Sequence, residues 1–314
     1  MNRLVVALFA AALFAVPARA ADPIKVVVPF AAGGPVDALA RIVAAELSTR
    51  LATDVVVENR GGAGGLLAVE QVARAPADGR TILFGSVGAF VITNALKPQP
   101  GYEQLKTFAP VARVGAAPTL FIVKADSPIK TLPELIAKAK SGSKMSYGSA
   151  GAGTTMHIAA EQLNVSAGTK ITHVPYRGIA PALNDIVGGH IDFLNGDITV
   201  LYPQVKSGAL RALAVAGTER SALLPDVPTA QELGYKDVYM ENWYGALVPA
   251  ATPPDVVAKL ESAIMDALKT PAVWGKISAN GVYAPQDAKT FRAQIEKDIA
   301  YWGAEIKKLG ITAE

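Results

Sequence analysis

The 314-residue sequence predicts an α/β protein of two lobes with a cleft between them. Three observations predict it. Apolar β-branched runs alternate with helical patterns, the alternation restarts midway along the chain, and two long extended segments separate the stretches.

The elements follow in order. "MNRLVVALFAAALFAVPARA" (1–20) has an early cation, Arg3, an apolar run from Leu4 to Val16, and a small-x-small end, Ala18-Arg19-Ala20. That is the three-part pattern of an export signal cleaved near Ala20, and its apolar run is short for a membrane anchor. "IKVVVPF" (24–30) reads as a buried strand, and "VDALARIVAAELSTRL" (36–51) places Val36, Leu39, Ala40, Val43, Leu47 and Leu51 on one helical face. Strand 54–59, helix 64–75 and strand 80–85 complete a β-α-β-α-β unit, which predicts a parallel sheet covered by helices.

The second unit starts with a helix at 131–140, which Thr131 is placed to cap. Strands at 144–150, 170–176, 190–196 and 210–217 then alternate with helices at 154–164, 180–189 and 198–208. Between the units lie "ARVGAAPTLFIVKA" (112–125) and "NWYGALVPA" (242–250), which read as paired crossing strands. The expected division is a signal at 1–20, a first lobe from 21–120 and 245–314, and a second lobe at 121–244. Helices near 254–270 and 288–310 are expected on the first lobe.

Composition narrows the function classes. The chain carries 30 basic and 27 acidic residues, for a net charge of +3. Removing the leader takes away Arg3 and Arg19 and no acid, which leaves 28 against 27 and a charge of +1. No nucleic-acid partner is expected of a near-neutral chain without a basic run. Cysteine is absent, so disulfides, thiol nucleophiles and cysteine metal sites are excluded.

Five strand ends run through small residues into a helix start: 29–37, 84–90, 147–155, 175–181 and 194–200. The first N–H groups of a helix have no internal partner and carry partial positive charge, which suits an anion. In open α/β sheets ligands sit beyond the carboxyl ends of the strands. In "PFAAGGPVD" (29–37) Pro35 fits the first helical turn, Gly33 and Gly34 leave the strand end free of side-chain bulk, and Asp37 complements the helix dipole.

The blocks "PIKVVVPFAAGGPVDALAR", "VENRGGAGGLLAVEQVARAPADGRTILFG", "YGSAGAGTTMHIAAEQL", "HVPYRGIAPALNDIVGGHIDF", "LRALAVAGTERSALLPDVPTAQELGY" and "NWYGALVPAATP" resemble, in order, the Bug-type solute-binding receptors of tripartite tricarboxylate transporters. The resemblance covers nearly the whole chain after the leader. It implies a monomeric periplasmic binding protein of the type II, flytrap-like kind, with crossing segments as the hinge. It also implies delivery of a small carboxylate to membrane permease subunits, with no cofactor and no metal.

On that resemblance the carboxylate meets main-chain amides at Phe30, Ala31, Ala32, Gly33 and Gly34, and Asp37 is counted with them among the ligand-binding residues. A second contact is expected at Ser149, Ala150, Gly151, Gly153, Thr154 and Thr155. Ser86 and Val87 match a pocket wall, and Tyr176, Arg177 and Asp197 lie on second-lobe junctions, although "FLNGDITV" departs from the usual pattern around Asp197.

Individual side chains keep two readings. Arg177 either pairs with a second carboxylate of a diacid or is solvated after a turn. Asp197 either holds a ligand amine, hydroxyl or water, or caps the helix that follows it. Phe30, Tyr176 and Trp243 either wall the pocket or pack. Enzyme patterns are absent: residue 147 is Tyr where a nucleophile elbow needs Gly, and "FAAGGPVD" lacks a P-loop ending. His157, His173 and His190 have no metal-ligand spacing and read as separate polar residues of helices and strands. The alternatives to transport are a receptor presenting its ligand to a sensor kinase and, further off, an exported hydrolase or isomerase.

Overall fold

A computed structural model describes residues 22–99 and 102–311. The expected export signal at 1–20 lies outside these residues. The strands are β1 (Ile24–Val28), β2 (Val55–Asn59), β3 (Thr81–Ser86), β4 (Phe108–Lys124), β5 (Ser146–Ser149), β6 (Thr172–Pro175), β7 (Phe193–Asp197), β8 (Leu210–Val215), β9 (Glu241–Pro249) and β10 (Gln286–Asp287). The helices that matter here are α1 (Pro35–Leu51), α2 (Leu66–Ala73), α3 (Thr93–Leu96) with a π-helical turn at Gly88–Ile92 before it, α4 (Gln104–Thr107), α5 (Leu132–Lys140), α6 (Thr155–Ala167), α7 (Ile179–Gly188), α8 (Ile198–Lys206), α9 (Pro254–Leu268), α10 (Pro271–Ser278) and α11 (Ala288–Leu309).

All strands join one sheet in the order β2-β1-β3-β9-β4-β7-β5-β6, with β8 and β10 also pairing β4. β1, β2 and β3 are mutually parallel, as are β5, β6 and β7. β4 and β9 pair antiparallel from Phe108↔Pro249 to Pro118↔Glu241. Beyond Pro118, β4 pairs β7 and β8 instead. The expected crossing strands are therefore present, and one of them runs through both halves of the sheet.

The core forms one layer on each face of that sheet. Val27, Leu83, Phe121, Tyr147 and Phe193 share one apolar cluster, while Val26, Phe84, Ile122, Leu194 and Tyr244 share the other. Neighbouring residues of a strand fall in opposite clusters because side chains alternate across a sheet. Strands buried on both faces need apolar residues at nearly every position, which explains "VVV" (26–28) and "FIV" (121–123). α9 packs on α1 and β4, and α11 packs on β4, on the turn at Gly88–Ile92 and on α6. The last helix thus touches both halves.

Strand direction places the site. β3 runs parallel to β4, and its last residue, Ser86, is level with Tyr244, which is level with Gly115 of β4. β7 runs against β4 and ends at Asp197, level with Thr119. The carboxyl ends of the two parallel groups therefore point at one another. Gly115 and Thr119 are four residues apart, which at about 3.3 Å per residue is roughly 13 Å along β4.

Candidate functional site

All five junctions named above join a strand to a helix, and all lie at these facing ends. Helices α1, α6 and α7 and the Gly88 turn have no side-chain cap, whereas Asp197 caps α8 by accepting from the Thr199 N–H at 3.0 Å.

The first loop, Phe30 to Gly34, is open to solvent at Ala31, Ala32 and Gly33. Its brace is Asp37, which is buried beneath it. The Asp37 carboxylate accepts from the Gly33 N–H (3.0 Å), the Asn59 Nδ2 (2.9 Å) and the Arg41 Nε (3.0 Å). Burial alone would raise this carboxyl, but the bonds from Arg41, Gly33 and Asn59 hold it below its usual value. Asn59 also donates to the Phe30 carbonyl at 3.1 Å. Asp37 therefore shapes the loop from behind, and the Gly33 N–H is already committed to it. The N–H groups of Ala31, Ala32 and Gly34 have no acceptor among the described residues.

Ser86 and Val87 are buried beside this loop, at the end of the neighbouring strand. Thr93 fixes the turn there, donating to the Gly64 and Gly88 carbonyls at 3.0 and 2.9 Å. Gly88 lies against Thr155 of the opposite half, since a β-carbon on it would be 3.5 Å from Thr155 Cγ2.

The third segment is Ser149 to Thr155. Its geometry comes from internal bonds: the Gly151 N–H donates to Ser149 Oγ (3.1 Å), and Thr154 Oγ1 donates to the Gly151 carbonyl (2.7 Å). The Gly153 N–H donates to His157 Nδ1 at 3.1 Å, and the Thr154 N–H to the Gly151 carbonyl at 3.3 Å. Of the main-chain donors expected to face a ligand, those of Gly151, Gly153 and Thr154 are thus occupied by the loop itself. The N–H groups of Thr155, Met156 and His157 have no acceptor among the described residues.

Two histidines that read as unrelated in the sequence meet here, which corrects that reading. The rings of His157 and His173 stack at 4.1 Å with 12° between their planes, and Tyr147 stacks on His173 at 5.0 Å. His173 Nε2 lies 2.6 Å from Ser149 Oγ. β6 pairs β5 in the register Tyr147↔His173, and α6 lies over β5 and β7. His157 has a local signal, four residues past Gly153 at a helix start. His173 has none, because strand order brings it in. Burial pushes both imidazoles down to about 4, and for His157 the neighbouring His173 adds to it. His190 lies apart, beside Gly188.

Tyr176 donates its N–H to the Ser149 carbonyl (3.0 Å) and its hydroxyl to Asp185 (2.5 Å). Arg177 follows it, exposed, with no hydrogen bond or ion pair among the described residues. Asp197 is buried at the end of β7, and its carboxylate accepts from Thr199, from the Tyr244 hydroxyl and from Asn242 Nδ2 at 3.2 Å. Burial pushes this carboxyl up, and the bonds from Tyr244, Thr199 and Asn242 offset part of that rise. Trp243 packs on Phe291 and donates to Asp298 at 2.8 Å.

The arrangement offers an anion unpaired helix ends, small residues and hydroxyls. It is poor ground for nucleophilic chemistry. Ser149 is fully buried, and its Oγ accepts the Gly151 N–H and donates within the loop. No acid orients His173 among the described residues.

Comparison with known proteins follows the same line. The model of the tripartite tricarboxylate transporter family receptor matches residues 39–311. Among solved structures, MatC of Rhodopseudomonas palustris with bound malate superposes with a TM-score of 0.85 at 32% identity, covering 90% of this chain and 98% of that one. A second R. palustris protein, solved with adipate, gives 0.87 at 30% identity, over 92% and 98% of the chains. The periplasmic binding protein BugD gives 0.85 at 34% identity, over 93% and 99%.

Proposed function

The chain belongs to the tripartite tricarboxylate transporter receptor family, and from that premise we propose that it is a periplasmic receptor that captures a small organic carboxylate and hands it to the membrane subunits of such a transporter. It has the two-lobe α/β fold of periplasmic binding proteins, and the family is one of receptors, not of enzymes. The observation that carries the reading is the pair of unpaired helix starts, behind Phe30–Gly34 and at Thr155, on strand ends that face one another. Such ends suit a carboxylate. Malate and adipate in the two R. palustris structures point to the same chemical class.

On this reading the lobes are 21–120 with 245–314, and 121–244, hinged where β4 changes partner near Pro118. Ala31, Ala32 and Gly34 would donate from one lobe and Thr155 from the other, with Ser86, Val87 and Tyr176 as walls. The ligand then stabilises the closed form because it touches both lobes. The protein performs no chemistry of its own, acts as a monomer and needs no cofactor.

The test is calorimetry and thermal shift on the mature protein, using malate, adipate and a monocarboxylate panel, with mass spectrometry of the ligand recovered. The expected result is a rise in melting temperature with a ligand returned unchanged, since a ligand bound only by the native state stabilises it. Absence of heat and shift across the panel, or a ligand returned altered, would overturn the reading.

A further inference from the structure

We propose that His157 and His173 are positioning residues that hold the Ser149–Thr155 loop in its ligand-gripping shape, and that they do so only while both rings are uncharged. The inference rests on the carboxylate-receptor reading for its functional half and on geometry alone for its structural half.

Each ring holds one end of the loop. His157 Nδ1 accepts the Gly153 N–H at 3.1 Å, so that nitrogen carries a lone pair and no proton. His173 Nε2 meets Ser149 Oγ at 2.6 Å, and Ser149 Oγ in turn accepts the Gly151 N–H at 3.1 Å. The loop's glycine amides at 151 and 153 are thereby turned inward, away from the cleft. The N–H groups of Thr155, Met156 and His157 are left at the helix end. A proton on His157 Nδ1 would set two donors face to face and break the Gly153 bond.

The rings are also 4.1 Å apart and stacked, so two charges there would repel at close range. From β5, Tyr147 packs on the pair, and its hydroxyl donates to Glu161 of α6 at 2.5 Å. From α11, Glu305 is engaged by Gln162 at 3.4 Å. Phe193 of β7 packs on Tyr147 without charge. Among the described residues no carboxylate reaches either imidazole to stabilise a cation, which agrees with ring pKa values held down to about 4. The loop is then intact at neutral pH and comes apart in acid.

The test starts without ligand. In isotope-labelled protein taken from pH 7 to pH 3.5, the amide signals of Gly151 and Gly153 are expected to move together with the two imidazoles, at a midpoint below 5. His157→Asn places an acceptor oxygen where Nδ1 stands, and His173→Gln places an uncharged amide donor where Nε2 stands, since the Ser149 hydroxyl proton goes to the Gly151 carbonyl. In the double variant the two amides should hold their neutral-pH shifts across that range. Amides that stay still while the imidazoles titrate, or imidazoles that titrate near 6.5, would overturn the proposal.

The functional arm uses adipate and compares wild type with the double variant at pH 7 and pH 4. Protonation of adipate itself affects both proteins alike. Wild-type affinity should fall at least tenfold further than the variant's, and equal losses would count against the proposal. If adipate bound neither protein, the receptor reading for that acid would fail, while the amide titration would still decide the positioning role.

Discussion

Gly153 and Leu96 meet across the two halves of the sheet: a β-carbon on Gly153 would stand 2.6 Å from Leu96 Cδ1, and the Gly153 φ is +76°. A side chain on the glycine of the Ser149–Thr155 loop would therefore have to displace Leu96 at the end of α3. Gly153→Ala adds both left-handed strain and a collision, with a stability cost of about 1–2 kcal/mol for the strain alone. We expect at least a tenfold loss of carboxylate affinity by calorimetry. Leu96→Ala in the same chain should restore most of it, because the collision and not the strain is what holds the halves apart. Gly33→Ala is the control: its φ is +88° but nothing lies within 4 Å of the added carbon, so only strain is expected there.

Asp37 gathers three donors from three places in the chain, so its loss frees the first loop at once. Asp37→Ala leaves the Gly33 N–H and the Asn59 amide without their acceptor. The expected cost is about 0.5–1.5 kcal/mol per bond lost in urea unfolding, since Gly33 is exposed and Asn59 only partly buried, so water can replace the acceptor. Weaker ligand binding should accompany it, with hydrogen exchange rising at Gly33 and Gly34. Wild-type exchange at those amides in the variant would show that the loop is held by other means.

Much of this was readable from the sequence because burial demands pattern. The run "VVV" of β1 is buried on both faces, and the cap expected of Thr131 is present, with the Glu134 N–H on Thr131 Oγ1 at 3.3 Å. The facing strand ends were legible as glycine-rich junctions. The helices α3 and α4 and the strand β10 were not, since four-residue or two-residue elements leave too little periodicity, and the eight residues of α10 give barely two turns of it. His173 was opaque for a different reason. Its role depends on β6 lying beside β5, and strand order is written in no local stretch. Asp37, counted among the ligand-binding residues, braces the loop from below in the structure, and its position in the first turn is the same whether it points outward or under the loop.

The histidine pair makes stability depend on pH in a stated window. The ordinary imidazole value is 6.5, and the folded value for each ring is about 4. The unfolded chain therefore binds more protons between these values, and stability falls as pH drops from 6.5 to about 4, then levels off for these groups. Melting temperature measured across pH 4 to 7.5 should show that slope. In the His157→Asn, His173→Gln double variant the slope should be shallower, and an unchanged slope would assign the acid sensitivity elsewhere.

Arg177 follows Tyr176, exposed and without a partner among the described residues, so on the proposed function it is a candidate cation for the far end of a diacid. A charge-assisted bond of about 1.5–3 kcal/mol corresponds to roughly a tenfold to hundredfold effect. Arg177→Ala should weaken adipate by about tenfold or more and leave a monocarboxylate within twofold. Equal effects on both would make Arg177 a solvated residue with no part in selection.

Asp197 and Tyr244 tie β7 to β9 at the crossing, where the two halves meet. Burial pushes the folded Asp197 carboxyl above 3.8, so its ionisation opposes folding: the penalty is absent below 3.8 and grows as pH rises toward the folded value. The Tyr244 hydroxyl is one of the donors that limit this penalty, together with Thr199 and Asn242. Tyr244→Phe keeps the ring in its apolar layer and removes only that donor. The expected loss is about 1–3 kcal/mol. It should be larger at pH 7.5 than at pH 3.5, because the ionised carboxylate needs the hydroxyl more than the protonated one does. Urea unfolding at the two pH values measures the difference. A deficit that is the same at both would mean Asp197 does not change its charge over that range, and the hydroxyl would then serve only as a neutral hydrogen-bond partner at the crossing.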